Sequence, residues 1–319
     1  MQNIHEPAEI LHRAHGANPW FVPEFSKRAI TAIADQFLDQ SAYESWIGKY
    51  TTPSKQKSVA LILAGNLPLV GFHDVLCVLS SGHRAIVKCS DKDAVLLPWL
   101  IHLWSEFVPE ISSNVTFTER MTGFDAAIAT GSNNSGRYFE YYFRDYPHIL
   151  RQNRNGVAVL DGRETLQELK LLASDIFLYF GMGCRSISKV YVPEGYDFGL
   201  WKEAIAEWAH LEDHHKYKNN LEYNHAIFII NSIPHINMGH LLLKEDEAIA
   251  SRIGCVHYQY YHHDEALKKH LDQHREEIQC VIGHMRMDKG EHIDFGKSQM
   301  PALDQYADGV DTMSFLSAL

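Results

Sequence analysis

A chain of 319 residues, 45% apolar and 22% charged, has the length for two domains and the composition of an ordinary globular protein. A net charge of −11 disfavours non-specific nucleic-acid binding, and no run of roughly 18 apolar residues is present to span a membrane. The polar start Met1 to Glu6 lacks the apolar stretch of a secretion signal, and five cysteines, odd in number and widely spaced, point to reduced thiols in a cytoplasmic protein.

Residues 1 to 50 read as helical, with apolar residues at three- and four-residue spacing over Ala8–His15 and Phe25–Phe37 and with Pro19 and Pro23 as punctuation. The period then changes. Ser58–Ala64 is a continuous apolar run, as a buried parallel strand requires, and it ends at Gly65-Asn66-Leu67-Pro68. A helix over Gly71–Ser81, a strand Arg84–Cys89, a helix Asp93–Phe107, a weaker strand Asn114–Glu119 and a short strand Ala126–Ala129 follow, with a turn at Thr130-Gly131-Ser132. This alternation predicts an α/β layer with a parallel sheet. Asn66, Lys88 and Gly131-Ser132 each fall just past a strand end, on the edge where ligands bind in open sheets. A nucleotide site is expected there, although Gly-x-Gly-x-x-Gly and Walker A loops are both absent.

A second α/β segment opens at the strand Gly156–Asp161 and continues through a helix Thr165–Phe180, a strand Ile187–Val192 and a helix Phe198–Ala209. The polar stretch Glu212–Asn224 reads as a surface loop or helix end. Ala226–Ile230 and Val256–Tyr261 read as strands, Asp264–Arg275 as a helix and Gln279–Gly283 as a last strand. The pairs His214-His215 and His262-His263 lie in polar stretches without metal-ligand spacing, so no metal is expected.

Between the helix and strand of this second segment stands Phe180-Gly181-Met182-Gly183-Cys184-Arg185-Ser186. Glycines let the backbone turn sharply and approach a ligand closely. A thiol on such a turn is reachable, and neighbouring amides can face a substrate oxygen, which is what covalent thiolate catalysis needs. A buried structural cysteine is the alternative.

Four segments in order, Ile62–Leu69, Gly82–Lys88, Thr130–Arg137 and Gly183–Ser186, resemble the motifs of the aldehyde dehydrogenase superfamily. Within it, Ala64–Leu69, Phe72-His73-Asp74, Phe180–Ser188 and the tail Phe295–Gln299 with Tyr306–Met313 are most similar to the acyl-CoA reductase branch, the long-chain fatty-acid reductase type. The resemblance implies two three-layer α/β domains with mainly parallel sheets. It places a dinucleotide-binding domain over residues 1–156, a cysteine domain over 157–294, and a tail over 295–319 that returns to the first domain or to a partner subunit. It also implies reduction of a fatty acyl-CoA to an aldehyde by NADPH or NADH, with Cys184 as nucleophile and Asn66 as oxyanion donor. Ile62, Leu63, Ala64, Gly65, Lys88, Asp91, Thr130, Gly131, Ser132 and Ser135 are then the cofactor-binding residues, and a homodimer is plausible by analogy. Asp91 favours NAD by repelling a 2′-phosphate; Lys92 beside it, and the relatives' use of NADPH, keep the choice open. Arg185 reads as an ordinary surface or salt-bridging arginine.

Two departures stand out. Aldehyde-oxidising members carry a glutamate base upstream of the cysteine, whereas no glutamate occurs here between Glu140 and Glu164. That favours thioester chemistry over hydrolysis by an activated water. The second ribose-binding glutamate is also missing, with Arg252-Ile253-Gly254-Cys255 in its neighbourhood. An ordinary NAD(P)-dependent aldehyde dehydrogenase and a non-catalytic nucleotide-binding protein stay open as alternatives.

Overall fold

The computed structural model describes residues 7–131, 133–285 and 291–319, with the backbone alone at 133–135. The chain forms two units, Met1–Asn153 with Ala302–Leu319, and Arg154–Pro301. The division falls a few residues ahead of the 156/157 boundary expected from sequence, which would have cut a strand. Among the described residues no helix is long and apolar enough to cross a membrane.

In the first unit, β1 (Ser58–Ile62), β2 (Arg84–Lys88), β3 (Val115–Phe117), β4 (Ala126–Thr130) and β5 (His148–Arg151) form a parallel sheet in the order β3-β2-β1-β4-β5. Val59, Ala60 and Leu61 of the central strand are fully buried, which is why β1 reads as an unbroken apolar run. Val59 and Leu61 pack with Val75 and Val78 of the helix Phe72–Ser80, and with Leu97 and Ile101 of the helix Leu96–Phe107. Ala60 packs instead with Phe143 of the helix Asn133–Phe143. Helices therefore cover both faces.

Residues 302–319 complete this unit. Leu303, Tyr306, Met313 and Leu316 belong to its core. Trp46 Nε1 donates to the Tyr306 hydroxyl at 2.7 Å. Arg151 at the end of β5 is buried against Asp74 (Nη2–Oδ1 2.8 Å) and donates to Thr312 Oγ1 at 2.8 Å.

The second unit carries β6 (Asn155–Val159), β7 (Ile187–Pro193), β8 (Ile236–Asn237), β9 (Leu242–Glu245), β10 (Cys255–Tyr261), β11 (Ile278–Gly283) and β12 (His292–Ile293). Their order is β12-β11-β6-β7-β10-β9-β8, parallel throughout except for β8 against β9. The helix Asp264–Gln273 packs Leu267 and Leu271 on Val157, Val159 and Tyr191. The helix Leu166–Phe177 starts on a reciprocal cap between Thr165 and Glu168. The expected fold class, two α/β domains with mainly parallel sheets, is what the structure has.

Two expectations are corrected. Ala226–Ile230 is not a strand but part of one helix, His215–Ile230, which also takes in most of the stretch Glu212–Asn224 read as a surface loop or helix end. It buries Tyr217, Leu221, Asn224 and Phe228 at helical spacing, while Ile229 and Ile230 of the misread run are exposed. The helix expected over Phe198–Ala209 shrinks to Trp201–Ala204 followed by 3-10 turns over Ala206–Asp213.

Candidate functional site

The first set of expected residues comes together at one sheet edge. Ile62 of β1 pairs with Lys88 of β2 on one side and with Ala129 of β4 on the other. Lys88, Ile62–Asn66 and Thr130-Gly131 therefore leave the sheet side by side. The chain passes from β1 to β2 in one direction and β4 lies in the other, so this is the switch point where a crevice opens beyond the strand ends.

The loop that leaves β1 is tightly held. Leu63 N donates to Lys88 O at 3.1 Å. A side chain at Gly65 would meet Ser90 Cβ at 2.6 Å and Asp93 N at 3.1 Å, so only glycine lets the loop lie against the segment after β2. Leu69 adopts a left-handed conformation (φ 59°), and its N–H donates to Asp93 Oδ2 at 2.8 Å. Asp93 is 6% exposed, and burial pushes its carboxyl up to about 6 against the opposing pull of the Leu69 amide. Asn66 sits half-buried on this braced loop.

Ile62, Ala64 and Thr130 are half-buried, Leu63 and Gly65 buried, and Asp91 exposed on a turn capped by Ser90. Lys88 Nζ donates to Glu119 O at 3.0 Å, a partner the sequence did not suggest. Ser132 and the Ser135 side chain lie outside the described residues. The small residues Ala64, Gly65 and Gly131, the start of a helix at Asn133, and the polar ends of Lys88 and Asp91 are groups that fit a dinucleotide.

The second set builds a turn in the other unit. After Phe177 the backbone goes left-handed at Tyr179 (φ 54°), Phe180 (φ 58°) and Gly181 (φ 71°). Such a conformation costs roughly 1–2 kcal/mol at each non-glycine residue. Burial offsets it: Phe180 is 2% exposed, with its ring 4.4 Å from that of His214. Gly183 N then donates to Ser186 Oγ at 3.1 Å and Ser186 N to Gly183 O at 3.0 Å, closing a tight turn around Cys184 and Arg185. Ser186 O accepts from Gly156 N of β6 at 3.0 Å.

The segment Phe295–Gln299 supports this turn. Gln299 Nε2 donates to Ser186 Oγ at 3.2 Å, and Gly296 N and Ser298 N donate to the buried Asp175 carboxylate at 2.6 and 3.0 Å. Gln299 belongs to the tail motif read from sequence, whereas Asp175 and Glu291 were not singled out, since they carry no local signal.

Cys184 is half-buried. Cys77 and Cys280 are buried and pushed well up by desolvation. Burial also drives Cys255 and the half-buried Cys89 up to about 12. Of the two readings of Arg185, surface or salt-bridging, the second holds: it is 7% exposed, with Nη1 2.6 Å from Glu291 Oε1. Burial works against its charge, and the Glu291 carboxylate outweighs that and raises it.

Elsewhere in this unit, Asp161, Glu164 and His284 bring ligand-type atoms within 4.8 Å of one another. Arg163 lies 2.6 Å from Asp161 and His284 2.8 Å from Glu168, so the group is an internally compensated ion-pair network.

No protein-family model matches this chain, and no curated protein matches it. Solved structures do. An oxidoreductase from Marinobacter aquaeolei has a TM-score of 0.67 at 10% identity over 99% of this chain and 81% of its own. Aldehyde dehydrogenase 21 from Physcomitrella patens, in complex with the reaction product succinate, has 0.64 at 13% over 99% and 80%. An NAD-dependent benzaldehyde dehydrogenase from Corynebacterium glutamicum has 0.63 at 12% over 93% and 79%. At these identities the likeness is one of fold, and the fold is the two-domain architecture of the aldehyde dehydrogenases.

Proposed function

We propose that this chain is an NAD(P)-dependent oxidoreductase acting at a carbonyl carbon through a covalent intermediate on Cys184. The observation that carries this is the contrast among the thiols. Cys184 stands half-open on a strained and buttressed turn, while Cys77, Cys255 and Cys280 are buried. Sulfur attacks the carbonyl carbon, and the Cys184 N–H is a donor for the resulting oxyanion, of a kind worth on the order of a hundredfold in rate; the sequence resemblance assigns Asn66 as a second such donor. A bound nicotinamide, held by the residues at the β1/β4 edge, supplies the hydride chemistry.

With an acyl-CoA, the C–S bond to CoA breaks, the CoA thiolate leaves and a Cys184 thioester remains to be reduced to aldehyde. The lack of a glutamate between Glu140 and Glu164 supports this direction. Arg151, in the stretch where such a base would fall, is committed to Asp74 and Thr312. The second reading is ordinary aldehyde oxidation, favoured by the names of the structural relatives.

Intact-protein mass spectrometry after exposure to a fatty acyl-CoA tests the proposal. An acyl adduct lost in Cys184→Ala, with aldehyde formed on adding NADPH or NADH, is the expected outcome. Turnover from aldehyde plus NAD without any adduct from acyl-CoA selects the second reading, and turnover unaffected by Cys184→Ala removes both.

A further inference from the structure

Arg185 directly follows the candidate nucleophile, and its ion pair with Glu291 is nearly shut off from solvent, the two side chains being 8% and 16% exposed. Stability alone gives weak reason for such a pair, since apolar residues of similar volume commonly serve a core as well. The partners are 106 residues apart in sequence and come from well-fixed backbone. Arg185 sits in the closed turn, and Glu291 O accepts from Val281 N of β11 at 2.9 Å. A side chain at Gly156 would meet Arg185 O at 2.7 Å, so β6 also presses on this backbone.

The charge of Arg185 reaches both Cys184 and Cys280. Arg185, Glu291 ahead of β12, Cys184 and Asp175 on the helix Leu166–Phe177 all act on Cys280 of β11. Burial keeps Cys280 neutral, and Asp175 is engaged by two backbone amides. The Arg185 cation acts on Cys184, and Glu291 Oε1, 2.6 Å from Arg185 Nη1, is the carboxylate paired with it.

We propose that Glu291 is a positioning residue that holds the Arg185 guanidinium beside Cys184, the cation favouring the thiolate and the carboxylate moderating it. This rests on Cys184 being the nucleophile of the proposed function. The pair sets the fraction of sulfur that is ionised before any substrate arrives.

The test is the pH dependence of Cys184 alkylation by iodoacetamide, read on the Cys184 peptide by mass spectrometry. Arg185→Gln leaves the carboxylate uncompensated, and the midpoint should rise by on the order of one pH unit. Glu291→Gln removes the carboxylate paired with the cation, and the midpoint should fall by a similar amount. Arg185→Lys should keep the midpoint near that of the unmodified protein, and the double Gln variant should return toward it. Single variants that shift it in the same direction, or not at all, overturn the proposal. Should Arg185→Gln lack a cooperative unfolding transition, Glu291→Gln decides, and an unchanged or raised midpoint overturns it. The acyl-CoA adduct is scored separately. Unmoved titration with the adduct intact removes this inference alone, while opposed shifts without an adduct remove the proposed reaction and leave the charge pair standing.

Discussion

Asp93 holds Leu69 in a left-handed conformation and is almost wholly buried while doing so. Its carboxyl rises from 3.8 to about 6, chiefly through desolvation. Between those values the folded chain keeps a proton that the unfolded chain has released. The group therefore favours folding below about pH 4, and that contribution is lost as the pH climbs through about 6. By the usual conversion the whole swing is on the order of 2–3 kcal/mol. Asp93→Asn keeps an oxygen for the Leu69 amide but does not titrate. Its melting temperature should gain on that of the parent between about pH 4 and 6 and run parallel above. Melting curves that stay parallel across the whole range count against this account of the Asn66 loop.

The turn that carries Cys184 was legible as an element because glycine is the residue such a turn needs. Gly181 has φ 71°, and a side chain there would sit 3.1 Å from Ile176 O. Gly181→Ala should cost about 1–2 kcal/mol of stability and slow Cys184 alkylation; chemical denaturation and labelling rates check the two effects. β1 was legible for a similar reason, since a central parallel strand buried on both faces leaves a continuous apolar run. The helix His215–Ile230 was not. Its buried face includes Asn224, held through Nδ2 to Ile253 O at 3.0 Å, and its cap is His214, whose ring accepts from Tyr217 N. Polar residues used as core and cap, with Ile229 and Ile230 left in water, erase the period that would have announced it. β5 and β9 are four-residue strands whose pattern is too short to stand out. The Arg185–Glu291 pair had no local signal at all, because long-range packing alone brings the two together.

Across the whole molecule, the first unit is assembled from two distant stretches, and the buried Arg151–Asp74 pair with Thr312 is one of its joints. Arg151→Ala leaves the Asp74 carboxylate buried and uncompensated, a change that commonly costs about 3–5 kcal/mol. Equilibrium unfolding in urea should show that loss, and adding Asp74→Ala should recover part of it. The tail motif read from sequence as one piece divides in the fold. Phe295–Gln299 braces the cysteine turn, whereas Leu303, Tyr306, Met313 and Leu316 fill the core of the first unit. This placement bears on how the protein is made. On the ribosome, every residue of the cysteine-bearing unit emerges before Ala302–Leu319 does. The unit begun first is thus the one finished last, and until those final residues are translated its apolar interior stays uncovered and open to chaperones or to self-association.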